Sequence, residues 1–355
     1  MGAGIYGYAG GPVLPLFYFY INSFECSTMP IQILSFDEVI DHLIASSRPH
    51  FSNYLAMYSS WYGGIVVDPA LMMVPMDDHL VHRGDGVFEA LKCVGWNIYA
   101  LQQHLDRLDE TAAVLGLDIP MDRSALIETI LETIRAGNSG DCTIRLFVSR
   151  GPGSFSANPY ESVASQVYLI VTSLLTPPKE RYERGVVLAT SSIPTKHDRF
   201  ATVKTCNYLQ NVLMKKEAKD LGADFPVSID EEGFLGEGAT ENVGILTMKG
   251  ELLLPRFRRI LRGITITRAA ELARSLIGHG LNTVAEADIT REQAYEAAEM
   301  FVFGTTINIL PVVEYDGRKI GGGRPGPVHG KLLDLLLRDE RNMDMLTPVR
   351  RTDNG

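Results

Sequence analysis

The sequence predicts a mixed α/β chain built as two α+β-like domains, and three observations carry that reading. Strand-period and helix-period segments are interleaved along the 355 residues, without the strict βαβ alternation of a doubly wound sheet. Between Leu174 and Arg184 a Pro177-Pro178 pair and a run of charges separate the periodic segments into two groups. The length suffices for two buried cores of ordinary size. The expected layout is an N-terminal extension at 1–50, a small α/β domain at 51–174 and a linker at 175–184. A large domain at 185–345 and a C-terminal tail at 346–355 complete it.

In order along the chain, Phe36, Val39, Ile40, Leu43 and Ile44 recur at helical spacing and predict a helix from Ser35 to Ser47. Leu55 to Val67 is apolar and β-prone, and Asp68-Pro69 turns the chain. Val87 to Val94 alternates as a strand, Gly95-Trp96-Asn97 makes a hairpin and Ile98 to Leu101 returns. Gln102 to Leu115 and Ser124 to Ala136 have helical periodicity. Cys142 to Ser149 and Ser165 to Thr172 read as strands, joined by a polar loop from Gly151 to Pro159. Beyond the linker come a strand (Gly185–Thr190), a helix (Asn207–Leu221) and a β-rich stretch (Phe225–Leu254). A helix then runs from Gly263 to about Ile277. Another begins at Thr290, with Glu292, Glu296 and Glu299 on its early turns, and a strand at Met300–Phe303 leads into Gly304-Thr305-Thr306.

Composition narrows the class. With 45% hydrophobic and 21% charged residues the chain reads as soluble and globular. A net charge of −10 argues against a nucleic-acid partner, which needs basic surface, but leaves room for a local pocket for one small anion. Cys26, Cys93, Cys142 and Cys206 form no CxxC pair and no metal-like pattern with histidines. They are expected as free thiols in a reducing, cytoplasmic setting, with no metal. Met1 to Ser23 has no charged side chain and hence no positive n-region, and its glycines and prolines would break a spanning helix. That stretch is expected to pack on the fold as an extension or to precede a start at Met29, with no membrane role.

Three local patterns point to chemistry. Lys204 lies in Ala201-Thr-Val-Lys-Thr-Cys-Asn-Tyr208, among small, apolar or hydroxyl-bearing neighbours, where partial burial would lower its pKa and make the amine a nucleophile for an aldehyde. Glu237 stands between glycines in Leu235-Gly-Glu-Gly-Ala-Thr-Glu-Asn242, more often the setting of a loop acid, yet suited to face a cationic ring nitrogen; Asn242 would fix the loop. Gly263-Ile264-Thr265 opens a helix, whose free N–H groups attract an anion. Gly304-Thr305-Thr306 adds hydroxyls after a strand, and Arg107 adds a bidentate cation. Singly each has a bland reading as turn or solvated face; together, in this order, they are not a weak signal.

The ordered set His82-Arg-Gly-Asp-Gly-Val-Phe-Glu89, His104-Leu-Asp-Arg-Leu108, Val148-Ser-Arg-Gly151, Val203-Lys-Thr-Cys-Asn-Tyr-Leu209, Glu237-Gly-Ala-Thr-Glu-Asn242, Leu261-Arg-Gly-Ile-Thr265 and Phe303-Gly-Thr-Thr306 resembles the fold-type IV (class IV) pyridoxal-phosphate enzymes. These are the branched-chain aminotransferases, D-amino-acid aminotransferases and aminodeoxychorismate lyases, and the resemblance spans about residues 60–340. It implies a small N-terminal α/β domain and a larger C-terminal domain with pyridoxal 5'-phosphate between them. By the same match Lys204 is the Schiff-base lysine and Glu237 pairs with the pyridine nitrogen. Arg107, Ile264 (through its backbone), Thr265 and Thr305 hold the phosphate, with Gly263 and Thr306 as further cofactor-binding residues. Tyr208 matches the tyrosine aimed at the cofactor phenolate, although it stands one residue nearer the lysine than in the branched-chain enzymes. The family strand that lines the substrate side matches Val87, Phe88, Ala90 and Lys92, and Arg150 is a further candidate for a substrate carboxylate, with a loop salt bridge as its equal rival.

The implied reaction is aminotransferase turnover between an amino donor, branched-chain or D-amino acid in type, and a 2-keto acid, in a homodimer or higher homo-oligomer. The alternative is a lyase of the aminodeoxychorismate type that releases pyruvate; a cofactor-binding protein without turnover is a third reading, opposed by the intact Lys204, Glu237 and Arg107. Neither the Arg-x-His pair of D-amino-acid enzymes nor the Gly-Arg-Gly-Tyr loop of many lyases is present.

Overall fold

The computed structural model describes residues 31–46 and 48–349. The apolar stretch before residue 31, with Cys26 and the alternative start at Met29, and the tail from residue 350 lie outside the described residues. The chain divides into two compact units, residues 1–46 and 47–355. The described part of the first contains the helix Phe36–Ala45, which holds every apolar residue of the helical spacing, with Ser35 and Ser46 as its caps. Ser35 caps it: its side chain accepts from Glu38 N–H while Glu38 reaches back, a reciprocal capping box.

The second unit contains two sheets. Six strands of the first sheet come early: β1 (Tyr54–Ser59), β2 (Gly64–Val66), β3 (Gly86–Val94), β4 (Asn97–Tyr99), β5 (Cys142–Ser149) and β6 (Gln166–Ser173). The second sheet uses β7 (Val186–Thr190), β8 (Phe225–Val227), β9 (Asn242–Leu246), β10 (Glu251–Pro255), β11 (Thr283–Ala287), β12 (Glu299–Gly304) and β13 (Asn308–Tyr315), in the order β11-β10-β9-β12-β13-β7-β8, with β14 (Arg318–Lys319) on β13. The chain then returns: β15 (Leu346–Pro348), from the residues read as a tail, pairs with β4 and completes the antiparallel order β15-β4-β3-β5-β6-β1-β2.

The pattern of β3 explains its place. Val87, Leu91 and Cys93 turn to one face and join Leu105, Leu108, Ile130 and Ile134 from the helices Leu101–Leu115 and Arg123–Gly137 in a dry core. Each such aliphatic side chain contributes roughly 1.5–3 kcal/mol on burial. Phe88, Ala90 and Lys92 take the opposite face, as the strand period of two requires. In the second sheet β9 and β12 are buried on both faces, so they read as continuous apolar runs. Phe301, Phe303 and Ile309 meet the helices Ile264–Ala273 and Pro327–Asp339 on one side; Ile245, Val302 and Leu310 meet Val186 and Leu188 on the other.

Two elements depart from the sequence reading. The helix after Thr290 is short, Arg291–Tyr295, and Glu299 belongs to β12. There the buried Glu299 carboxylate accepts from Val328 N–H (2.9 Å) and His329 N–H (2.8 Å), satisfying the start of the helix Pro327–Asp339. An acid needed to cap another element thus resembled one more helical glutamate. The 175–184 stretch also contains a helix, Lys179–Arg184, right after Pro178.

Candidate active site

The segment that carries Lys204 is pinned to the first sheet. Lys204 C=O accepts from Phe88 N–H at 3.0 Å, Gly86 C=O accepts from Cys206 N–H at 2.8 Å, and Thr205 bridges Val87. Three residues of chain from the second half therefore extend β3 sideways. With Ala201 and Val203 buried beneath it, the lysine has few backbone alternatives. Its ammonium lies 4.4 Å from the centre of the Phe88 ring and 3.5 Å from the Tyr208 hydroxyl. Burial pushes its pKa down, the Arg107 charge pushes it further, and Glu89 and Glu237 partly oppose, leaving it at about 8.

A cavity of about 210 Å³ opens in front of that amine. The structure brings Lys204, Arg107, Tyr208, Gly263, Ile264, Thr265, Thr305, Thr306 and Phe88 to its walls. Glu237 lines a small adjoining hollow that shares Lys204 and Tyr208 with the cavity. Its carboxylate accepts from Leu261 N–H at 3.1 Å, and burial raises its pKa to about 7 against the charges of Lys196 and Lys204. A larger groove of about 470 Å³ between the helices Leu101–Leu115 and Ile264–Ala273 shares only Arg107 and Ile264 with this cavity and does not include Lys204.

Arg107 is held from behind. Its Nε and Nη2 donate to the two oxygens of Glu89 (2.7 and 2.6 Å), and Nη1 donates to Arg262 C=O at 3.0 Å. His104 Nδ1 lies 2.7 Å from the same Glu89 carboxylate. Burial alone would raise the Glu89 pKa, but Arg107 and then His104 overturn it and hold it at about 2. The guanidinium thus stays charged and fixed at the mouth of the helix Ile264–Ala273. Gly263 N-caps that helix without any side-chain cap, which leaves its first N–H groups for an anion. A Cβ at Gly263 would fall 1.9 Å from Asn242 Oδ1; glycine lets the Asn242 amide cross and donate to Leu261 C=O at 2.9 Å.

Two expected substrate residues are elsewhere. Lys92 shares the face of Phe88 and Ala90, yet its ammonium donates to Glu340 at 2.6 Å and to Asn308 and is buried there, outside the cavity. Arg150 forks onto Asp85 (2.9 and 3.1 Å) and donates to the Leu115 and Gly116 carbonyls at 3.0 Å, closing the end of the helix Leu101–Leu115. The salt-bridge reading of Arg150 is the one the geometry carries. Val87 is in the core, while Ala90 lines the cavity. The sequence reading missed Arg145 and gave no role to Glu89 or His104. Arg145 on β5 stands opposite Ala90, lines the cavity and donates to the Thr172 hydroxyl at 3.3 Å. Only the strand register reveals it; Glu89 was legible as the one acid of its strand, on the face of Val87 and Leu91.

An amine with a lowered pKa, an arginine and hydroxyls at a helix mouth, and a buried carboxyl opposite fit an aldehyde, a phosphate and a ring nitrogen, the three groups of pyridoxal 5'-phosphate. The fold and this donor set define a fold-type IV pyridoxal-phosphate enzyme. The chain belongs to the class IV aminotransferase family, whose model matches residues 86–315. It is 41% identical over 293 residues to the chloroplastic D-amino-acid transaminase of Arabidopsis thaliana, covering 81% of this chain and 77% of that one. It is 33% identical over 272 residues to the putative branched-chain-amino-acid aminotransferase of Methanocaldococcus jannaschii, covering 77% and 93%. Among solved structures it is similar to the T.th. branched-chain amino acid aminotransferase with pyridoxamine 5'-phosphate, at a TM-score of 0.77 and 28% identity, covering 84% of this chain and 99% of that one. The protein is a pyridoxal-phosphate-dependent aminotransferase; the lyase alternative is not favoured. Among the described residues no helix is long and apolar enough to cross a membrane.

Proposed function

We propose that the protein transfers the amino group of a D-amino acid to a 2-keto acid, with Lys204 as the catalytic amine. The observation that carries the roles is the convergence of Lys204, Arg107 and Thr265 on one cavity, with Glu237 just beyond. The 41% identity to a D-amino-acid transaminase supports the donor class. The structural likeness to branched-chain aminotransferases keeps L-branched-chain donors as the competing outcome.

When bound, pyridoxal phosphate supplies an aldehyde carbon that exchanges amines and a pyridinium ring that accepts an electron pair. Arg107, the N–H groups after Gly263 and the hydroxyls of Thr265, Thr305 and Thr306 hold the phosphate. Glu237 keeps a proton at the ring nitrogen. Tyr208 directs its hydroxyl to the phenolate side, next to the Lys204 amine. Lys204 Nζ would take the proton from the donor α-carbon as general base and, as acid, deliver it to the cofactor carbon that carried the aldehyde, beside Phe88. Arg145 takes the substrate carboxylate, the task first expected of Arg150.

Incubation with single D- or L-amino acids, followed by absorbance and by keto-acid release, tests this. D-donors are expected to shift the absorption and release keto acid in the first half-reaction; a response to L-leucine or L-isoleucine alone would replace the D-donor reading. We also place the protein as a homodimer in a reducing compartment such as the cytoplasm. The exposed Leu209, Val212 and Leu213 along one helix support the first, and the free thiols of Cys93, Cys142 and Cys206 support the second. A solution mass of one chain would count against the dimer, and recovery in an oxidising compartment against the location.

A further inference from the structure

A second lysine, Lys196, belongs to the same neighbourhood without touching the cavity. Two small hollows border Glu237, and Lys196 lines both. Its ammonium sits 4.6 Å from the centre of the Tyr208 ring, on a cation–π contact, while Lys204 approaches the same tyrosine through the hydroxyl. Burial pushes the Lys196 pKa down and Glu237 opposes that shift.

Glu237 needs such a neighbour. Burial raises its pKa, and of the groups that oppose this, Lys196 comes first, ahead of the Leu261 N–H and Lys204, while Glu241 pushes the other way. Arg259 borders one hollow as well, but its guanidinium is engaged by Asp230 at 2.9 Å and Glu232 at 3.0 Å. The charge of Lys204 comes and goes as its amine bonds, is released and carries a proton. A carboxylate with Lys204 as its only cationic side chain would see that side chain's charge change during the cycle. Lys196 does not line the cavity, so none of those steps adds or removes its proton.

We propose that Lys196 is a positioning residue of the amino-transfer site: set over the Tyr208 ring and beside Glu237, its ammonium holds Glu237 as a carboxylate toward the cofactor's ring nitrogen throughout the cycle. The proposal rests on the reading that Glu237 faces that nitrogen.

The test uses the full chain, wild type and Lys196→Met, Lys196→Gln and Lys196→Arg, with Glu237→Gln as the assignment control. In cofactor-free protein the Glu237 carboxyl is titrated by difference infrared spectroscopy with isotope-labelled glutamate. Its midpoint is expected near 7 in the wild type, at least about one pH unit higher in Lys196→Met and Lys196→Gln, and restored in Lys196→Arg. An unchanged midpoint in either folded neutral variant overturns the proposal, and the two variants guard against a folding defect in one. The same proteins are then titrated with pyridoxal phosphate, where the neutral variants are expected to bind about tenfold more weakly at pH 8 and Lys196→Arg to bind as the wild type. A shifted midpoint in cofactor-free protein, with Glu237→Gln leaving cofactor affinity and absorption unchanged, would keep the Lys196–Glu237 coupling but remove Glu237 from the ring nitrogen, and with it the role proposed here.

Discussion

Lys204→Ala is expected to lower kcat by on the order of 10³-fold or more, since a positioned general base alone accounts for roughly 10²–10⁴ and the covalent attachment point is lost with it. Among the described residues no other lysine lines the cavity: Lys196 lies over the Tyr208 ring and beside the hollow that Glu237 lines, and Lys92 is bonded to Glu340 and Asn308. The variant is expected to bind pyridoxal phosphate through Arg107 and the helix mouth, but to show none of the absorption of covalently held cofactor. In the wild type, capture of added cofactor should accelerate as pH rises through about 8, because burial and Arg107 lower the Lys204 pKa to that value and only the neutral amine attacks an aldehyde. Stopped-flow absorbance against pH measures this. Turnover in Lys204→Ala, or a capture rate flat from pH 6 to about 10, would remove Lys204 from its role.

Arg107→Ala is expected to fail twice. Cofactor affinity falls because the fork beside Thr265 and the helix start is gone, and the fold weakens because Glu89 loses both of its charge-assisted bonds from Arg107 while remaining fully buried. Breaking one side of a buried pair costs roughly 3–5 kcal/mol, so the urea midpoint should drop clearly at pH 7. The sign with pH follows from the depressed Glu89 pKa. In the wild type its contribution is complete above the unfolded value of 4.5 and fades as pH falls toward about 2. In Arg107→Ala that dependence should flatten, since a Glu89 without its arginine is protonated more readily. Arg107→Lys keeps the charge but not the fork and should lie between. Unfolding of cofactor-free protein in urea at pH 7 and 4, together with cofactor titration, separates the two losses. Cofactor affinity equal to the wild type in Arg107→Ala would mean the phosphate is bound elsewhere.

The residues that turned out to be together were those in short, self-contained patterns. Lys204 and Tyr208 are four residues apart in the stretch that leads into the helix Leu209–Asp220, Gly263-Ile264-Thr265 is itself a helix start, and Gly304-Thr305-Thr306 is itself a turn. The residues misplaced were those whose partners lie far along the chain. For Arg150 the choice between substrate carboxylate and salt bridge was decided only when Asp85 and the end of the helix Leu101–Leu115 came to it; Lys92 looked cavity-facing until Glu340 returned from the end of the helix Pro327–Asp339. The helix Pro327–Asp339 went unnoticed, although Pro327 at its start and Val328, Leu332 and Leu336 at helical spacing were there to be read.

Most elements and the reactive lysine were legible because strand and helix periods, glycine at a helix mouth and a lysine among small neighbours all act over a few residues. Tertiary structure decided which charges remain available. Strand register set Arg145 beside Ala90, and the crossing of Glu89 with Arg107 fixed the cation at the helix start. Folding placed Lys196 on the same two small hollows as Glu237, and brought β15 back to β4 from the other end of the chain. A charge is strong in a buried site only when its neighbours are known, and those neighbours are set by packing between elements that are hundreds of residues apart along the chain or adjacent across a sheet, a relation that local pattern does not encode.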